Sequence, residues 1–104
     1  MIGIIGAMEE EISKLKEIME NKETKVIAGM EFVQGKIRGK SVTVVRSGIG
    51  KVNAAACTQI LVDRFGVGTV INTGIAGSLK NEINIGDIVL STDAVIHDMN
   101  VEGF

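Results

Sequence analysis

Three short loops hold the residue types that could do chemistry in this chain. They are residues 6–11, which include three consecutive glutamates, the glycine-rich turn 47–51, and the small-residue run 73–77. Each loop directly follows an apolar segment that is typical of a buried strand. Because ligands of open α/β sheets bind at the carboxyl ends of the strands, we expect the three loops to converge on one crevice.

The polar residues near these loops also have ordinary structural explanations. Glu9, Glu10 and Glu11 fall in the first turn of a predicted helix, where the helix dipole favours carboxylates. His97 is the only histidine, and a single histidine at a strand end is more often structural than catalytic. The glycines of residues 3–6 and 48–50 complete neither a dinucleotide fingerprint nor a P-loop. Residue types alone therefore leave the chemistry of the crevice open.

The hydrophobic pattern predicts an α/β fold, with a layered sheet of mixed direction flanked by helices. Predicted helices span residues 9–20 and 51–65, and predicted strands span residues 1–6, 25–28, 30–37, 41–47, 69–72 and 87–97. Turns at Gly29 and at residues 38–40 indicate antiparallel hairpins. The predicted apolar face of the second helix consists of Val52, Ala55, Ala56, Ile60 and Leu61. Residues 69–72 and 88–90 are predicted to be buried.

Composition bounds the class of protein. The 104 residues suit one domain over 1–104, and a mean hydropathy of +0.30 suggests that part of the apolar surface is covered by a partner or by further chain. A net charge of -2 argues against nucleic acid as a partner. No apolar run is long enough for a bilayer, and the lone Cys57 favours a reducing, cytoplasmic compartment without a zinc site.

Five ordered sequence blocks carry a family resemblance. They read IGIIGAMEEE at 2–11, SGIGKVNAA at 47–55, INTGIAG at 71–77, GDIV at 86–89 and HD at 97–98. In this order and spacing they resemble the amino-terminal half of the methylthioadenosine/S-adenosylhomocysteine nucleosidases. The resemblance implies a partial nucleoside phosphorylase-like fold, in which residues 1–104 form part of a larger nucleosidase domain.

The resemblance also implies roles for individual residues. Glu11 would be the catalytic residue that hydrogen-bonds the attacking water. The substrate-binding residues would be Met8 at the ribose, Ile49 at the 5'-alkylthio pocket, and Ala76 and Gly77 at the purine.

A further implied contact lies between subunits. Phe104 would reach the neighbouring active site of a homodimer. Ile75 departs from the serine that is common in the family, so no hydroxyl contact is expected there.

The implied function is hydrolysis of the N-glycosidic bond of 5'-methylthioadenosine and S-adenosylhomocysteine, releasing adenine without a metal or organic cofactor. In the family, the acid that protonates the purine and the ribose-binding Met-Glu pair lie beyond the position of Phe104. The chain alone is therefore expected to be nearly inactive. Two alternatives stay open: a purine nucleoside phosphorylase relative that uses phosphate, and a truncated, non-catalytic module for nucleoside binding or dimerisation.

Overall fold

A computed structural model describes residues 1–75 and 79–90 of the chain. Its centre is a mixed sheet in which the described strands are ordered β2-β3-β4-β1-β5. The strands are β1 (Ile2–Gly6), β2 (Glu20–Ile27), β3 (Met30–Ile37), β4 (Lys40–Arg46) and β5 (Thr69–Thr73). β1 pairs in parallel with both β4 and β5, and the predicted α/β fold class is confirmed.

Two antiparallel hairpins build the other side of the sheet. β2 pairs with β3, and β3 pairs with β4. The connecting residues are Ala28 and Gly29 in the first turn and Arg38 and Gly39 in the second, all with positive φ. Positive φ at both central residues is the geometry whose twist matches that of the flanking strands. The predicted hairpins are therefore confirmed.

Helix α2 (Lys51–Phe65) covers one face of the sheet. Cys57, Leu61 and Phe65 occur at a spacing of four residues, so they form one buried stripe. Phe65 stacks on Phe32 of β3, with ring centroids 5.0 Å apart. Gly66 ends the helix in a left-handed conformation, and its N–H bonds to the carbonyl of Leu61.

The opposite face is covered by a 3₁₀ turn, Glu9–Glu11, and a short helix, α1 (Ser13–Ile18). Ile12, which joins them, is almost completely buried with the β4 residues Val42 and Val44. Gly6 makes this approach possible, because a Cβ at Gly6 would lie 2.6 Å from Cγ2 of Ile12. The loop after β1 is therefore held directly against the sheet.

The predicted helix over residues 9–20 is wrong in its extent. It divides at Ile12 and ends at Ile18, whose side chain is exposed. β2 then begins at Glu20 instead of residue 25, with a register shift between Glu20 and Glu23. Residues 20–24 are polar and lie on an edge strand, so they lack the apolar alternation that marks a strand in a sequence.

Burial was overestimated elsewhere. β5 lies at the edge of the described sheet, and Val70 and Ile71 are 37% and 48% exposed. On α2, Val52, Ala55 and Ala56 are exposed, because the part of the helix surface that packs against the sheet is narrower than the apolar pattern predicted.

The strand predicted over residues 87–97 is the remaining difference. Residues 87–90 form no regular structure, and the predicted buried residues there, Ile88, Val89 and Leu90, are exposed. The remainder of that segment lies outside the described residues. Within the described ranges, no helix has both the length and the apolar character to cross a bilayer.

Truncation of Leu61 should test the packing of α2. Leu61 is fully buried, so Leu61→Ala is expected to lower the free energy of unfolding by about 2–5 kcal/mol, through lost transfer energy and a cavity. Val62→Ala is the control because Val62 is exposed on the same helix. Chemical denaturation of both variants measures the difference, and equal losses would contradict the described orientation of α2.

Cys57 should make stability depend on alkaline pH. Burial raises the pKa of the Cys57 thiol from 9.0 to about 11, so the folded chain keeps a proton that the unfolded chain loses. The stabilisation is complete below pH 9 and is lost as the pH rises towards 11, by about 1–3 kcal/mol. Denaturation between pH 8 and pH 11 should show a steeper decline for the natural chain than for Cys57→Ala. Parallel declines would refute the buried thiol as the cause.

Candidate functional site

The three loops that hold the chemically capable residues leave the sheet at one edge. Gly6, the last residue of β1, is in register with Arg46 of β4 and with Thr73 of β5. All three strands are parallel, so their carboxyl ends lie side by side. The expected convergence of the loops is confirmed for the described parts of the chain.

Backbone hydrogen bonds fix the turn after β4 to the end of β1. The N–H of Ser47 donates to the carbonyl of Gly6 at 2.9 Å, and the Ser47 hydroxyl donates to the carbonyl of Gly48 at 2.8 Å. Ser47 is buried. Asn53 then ties the turn to α2, because its Nδ2 donates to the carbonyl of Ile49 at 2.9 Å. The relative positions of the first two loops are therefore set by direct bonds.

The carboxylate of Glu11 is held in one orientation. Its Oε1 accepts a hydrogen bond from the backbone N–H of Met8 at 2.9 Å, and the N–H of Glu11 donates to the carbonyl of Met8 at 3.1 Å. This reciprocal pair closes the 3₁₀ turn in the manner of a capping box. One carboxylate oxygen is thus used for structure, while the other is directed away from the turn.

The second oxygen of Glu11 lies against Gly74, the residue that follows β5. A Cβ placed on Gly74 would be 2.8 Å from Oε2 of Glu11, so only a residue without a side chain leaves that oxygen its place. The carboxylate therefore bridges the ends of β1 and β5, where it is half-buried. A carboxylate fixed in this way can accept a proton from a water molecule bound beside it.

A surface cleft of about 390 Å³ opens on the β4 side of this carboxylate. Its lining combines the first loop with the end of β4 and the turn that follows. The lining residues are Ala7, Met8, Glu9, Glu10, Arg46, Gly48 and Ile49. The cleft therefore contains apolar side chains together with charges of both signs.

The charged residues of the cleft differ in whether they form an ion pair. Oε1 of Glu9 pairs with Nζ of Lys16 at 2.6 Å, so this carboxylate is partly neutralised by a lysine of α1. Arg46 and Glu10 are exposed, and no ion pair joins either of them to another described residue. In the ranges 1–75 and 79–90, no group of His, Cys, Asp and Glu has the arrangement of a metal site.

The structure brings three of the predicted site residues together. Met8 and Ile49 line the same cleft and are 39% and 76% exposed, and Glu11 lies at the adjoining strand end. Ala76, Gly77 and Phe104 lie outside the described residues. Their roles stay predictions, as do those of Met8, Ile49 and Glu11.

Two residues of this region were not singled out by the sequence. Arg46 ends β4 immediately before the glycine-rich turn, and strand alternation from Val44 places it on the side of the first loop. Gly74 belongs to a small-residue run in which close approach of a ligand was expected, yet its described neighbour is Oε2 of Glu11. The sequence signal that could have pointed to Arg46 is its position near the end of a predicted strand.

Comparison with known proteins shows the family to which the chain belongs. Residues 1–104 match the family model of the phosphorylase superfamily. The chain therefore belongs to the phosphorylase superfamily.

Individual relatives are more specific. A 5'-methylthioadenosine/S-adenosylhomocysteine nucleosidase of Psychromonas ingrahamii is 53% identical over 103 residues, which are 99% of this chain and 45% of that protein. The nucleosidase from Colwellia psychrerythraea, crystallised with adenine, superposes with a TM-score of 0.94 at 46% identity, over 98% of this chain and 42% of the crystallised one. The chain thus spans less than half the length of the relatives that it matches.

A third relative gives the same result. The Neisseria meningitidis nucleosidase, in complex with methylthio-immucillin-A, has a TM-score of 0.92 at 40% identity, over 98% of this chain and 44% of that chain. The resemblance carried by the five sequence blocks is confirmed, and so is the nucleoside phosphorylase-like fold.

Replacing Gly74 by alanine should move the Glu11 carboxylate without unfolding the chain. The new Cβ would meet the far end of a flexible side chain, so the free energy of unfolding should fall by only about 0.5 kcal/mol. Displacement of the carboxylate should weaken the bond from Met8 N–H, which NMR would detect as an upfield shift and about tenfold faster exchange of that amide.

Gly68→Ala is the matched control for this change. Nothing lies within 4 Å of a Cβ at Gly68, so the Met8 amide should keep its shift and its exchange rate. An unchanged Met8 amide in Gly74→Ala would show that the carboxylate does not occupy the described position.

Proposed function

We propose that this chain takes part in hydrolysis of the N-glycosidic bond of 5'-methylthioadenosine and S-adenosylhomocysteine, with release of adenine. The observation that carries the proposal is the Glu11 carboxylate, fixed by Met8 N–H and directed to Gly74 at the shared ends of β1 and β5. The names of the relatives supply the substrate class, because they are methylthioadenosine/S-adenosylhomocysteine nucleosidases.

In the proposed reaction, Glu11 orients a water molecule and accepts a proton from it. The water oxygen forms a bond to the anomeric carbon, while the bond from that carbon to N9 of adenine breaks and its electron pair leaves with the purine. A second, acidic group must protonate the purine so that it departs neutral. Glu11 would serve only the first role, because one carboxylate cannot lie both beside the attacking water and beside the departing purine.

The strand order supports one direction for the substrate. Met8 and Ile49 lie on the β4 side of Glu11, where their exposed apolar atoms suit the ribose and the 5'-thio substituent. The purine then lies on the β5 side, where Gly74 leads into Ala76 and Gly77. This assignment keeps the anomeric carbon, which joins the two parts of the nucleoside, next to Glu11.

The proposal extends to assembly and location. Residues 1–104 would belong to a single nucleosidase domain that forms a homodimer in the cytoplasm and contacts neither nucleic acid nor membrane. Apolar residues are exposed on α2 and β5, including Val52, Val62 and Ile71. Their exposure supports the proposal that another surface covers them in the assembled protein. Phe104 would contribute to the neighbouring subunit's site.

Phosphate is the alternative nucleophile, because the superfamily is one of phosphorylases. The negative charge of Glu11 would repel a phosphate anion at the position proposed for the attacking water. The two reactions of methylthioadenosine can be distinguished by their products, since hydrolysis yields methylthioribose and phosphorolysis yields methylthioribose 1-phosphate.

Glu11→Gln should test the proposal in a protein of full length. Residues 1–104 would be fused to the remaining part of the Psychromonas relative, and adenine release from methylthioadenosine would be measured with and without phosphate. Glutamine keeps an acceptor for Met8 N–H but cannot take up the proton, so kcat should fall about 100-fold or more.

Glu17→Gln is the matched control, because Glu17 is an exposed glutamate of α1 away from the strand ends. Circular dichroism would establish that all the fusions fold. Undiminished turnover in Glu11→Gln would show that Glu11 is not a catalytic residue. A folded fusion that binds methylthioadenosine without cleaving it would favour a binding module, and phosphate-dependent turnover would favour the phosphorylase.

A further inference from the structure

The cleft beside Glu11 has more charge than a 5'-methylthio group requires. A methyl group on sulfur is apolar and needs only surfaces such as those of Met8 and Ile49. The same cleft also contains Arg46, Glu9 and Glu10. Exposed charged side chains beside an apolar binding surface add a preference for a ligand with complementary charges without excluding an apolar one.

The two nucleosides of the proposed function differ at this end of the molecule. Methylthioadenosine ends in a methyl group on the 5' sulfur, whereas S-adenosylhomocysteine has an amino-acid chain there with an ammonium and a carboxylate. Arg46 and the two glutamates supply the opposite charges. A cleft with both signs of charge is therefore complementary to the longer, zwitterionic substituent.

Arg46 is available for such a contact. It is exposed and has no ion pair with any described residue, and a guanidinium binds a carboxylate through two parallel hydrogen bonds. Of the two glutamates, Glu9 already pairs with Lys16 at 2.6 Å. Glu10 is therefore the carboxylate that is better able to accept the ammonium.

The position of Arg46 in the sheet fits this contact. Arg46 is in register with Gly6 on the β4 side of β1, while Gly74 and the second oxygen of Glu11 lie on the β5 side. With the anomeric carbon at Glu11 and the purine towards β5, the 5' substituent extends towards β4. Its charged end then reaches the open part of the cleft.

We propose that Arg46, together with Glu10, determines specificity for S-adenosylhomocysteine by binding the carboxylate and the ammonium of its amino-acid substituent. This inference rests on the proposed function. It assigns to the β4 side of the site a preference between substrates that Glu11, which acts at the anomeric carbon common to both, cannot provide.

The test compares the two substrates in the full-length fusion. Arg46→Gln should lower the ratio of kcat/KM for S-adenosylhomocysteine to kcat/KM for methylthioadenosine by about fivefold, which is the upper range for an exposed ion pair. Arg46→Lys should restore most of the ratio, because it keeps the positive charge. Arg64→Gln is the matched control, since Arg64 lies in the last turn of α2.

A substrate without the carboxylate separates the two charges. 5'-(3-Aminopropyl)thioadenosine keeps the ammonium, so its ratio to methylthioadenosine should fall in Glu10→Gln and not in Arg46→Gln. If the ratio of kcat/KM for S-adenosylhomocysteine to kcat/KM for methylthioadenosine is the same in the unsubstituted fusion and in Arg46→Gln, the inference is overturned. Adenine release by both would still support the proposed function. If the fusion cleaves neither nucleoside, calorimetric Kd values give the same comparison, and equal Kd ratios would overturn it.

Discussion

The parallel pairing of β1 with β4 and β5 is the constraint on which the rest of the structure depends. It aligns Gly6 with Arg46 on one side and with Thr73 on the other. Three loops that are far apart in sequence therefore begin at neighbouring points. Because Ser47 N–H bonds directly to the carbonyl of Gly6, this alignment reaches beyond the strands into the loops. The relative positions of the three loops follow from this arrangement.

The first loop uses the same atoms for folding and for the site. The bond from Met8 N–H to Oε1 of Glu11 closes a 3₁₀ turn, and it also holds the carboxylate at the loop. Burial of Ile12 against Val42 and Val44 then presses this turn onto the sheet. A side chain that closes its own turn loses little further entropy when a water molecule or a ligand binds beside it.

Much of the fold could be predicted from the sequence because its signals are local. Alternating apolar residues marked β3 and β4, and helical spacing over residues 51–65 gave the observed bounds of α2. β2 was predicted too short because residues 20–24 of this edge strand are polar. The exposure of Val70 and Ile71 was missed because a strand sequence does not reveal whether a helix or another strand covers it.

The site was predictable in a different way. The convergence of the loops followed from strand order, whereas a role for Glu11 came from the family resemblance, since three consecutive glutamates look alike in composition. No local pattern distinguishes the glutamate whose carboxylate folds back onto Met8 N–H. Arg46 was missed because its position depends on which strand lies next to β1, which is a property of the sheet.

The close approach of Gly74 to Oε2 of Glu11 separates two kinds of evolutionary pressure. A methyl group there would displace the end of one side chain and leave the packed layers intact, so selection for foldability would not remove such a variant. If Glu11 has the proposed catalytic role, selection for turnover would preserve the glycine. A lineage that stopped using this carboxylate would be free to lose Gly74 by drift while it kept the sheet.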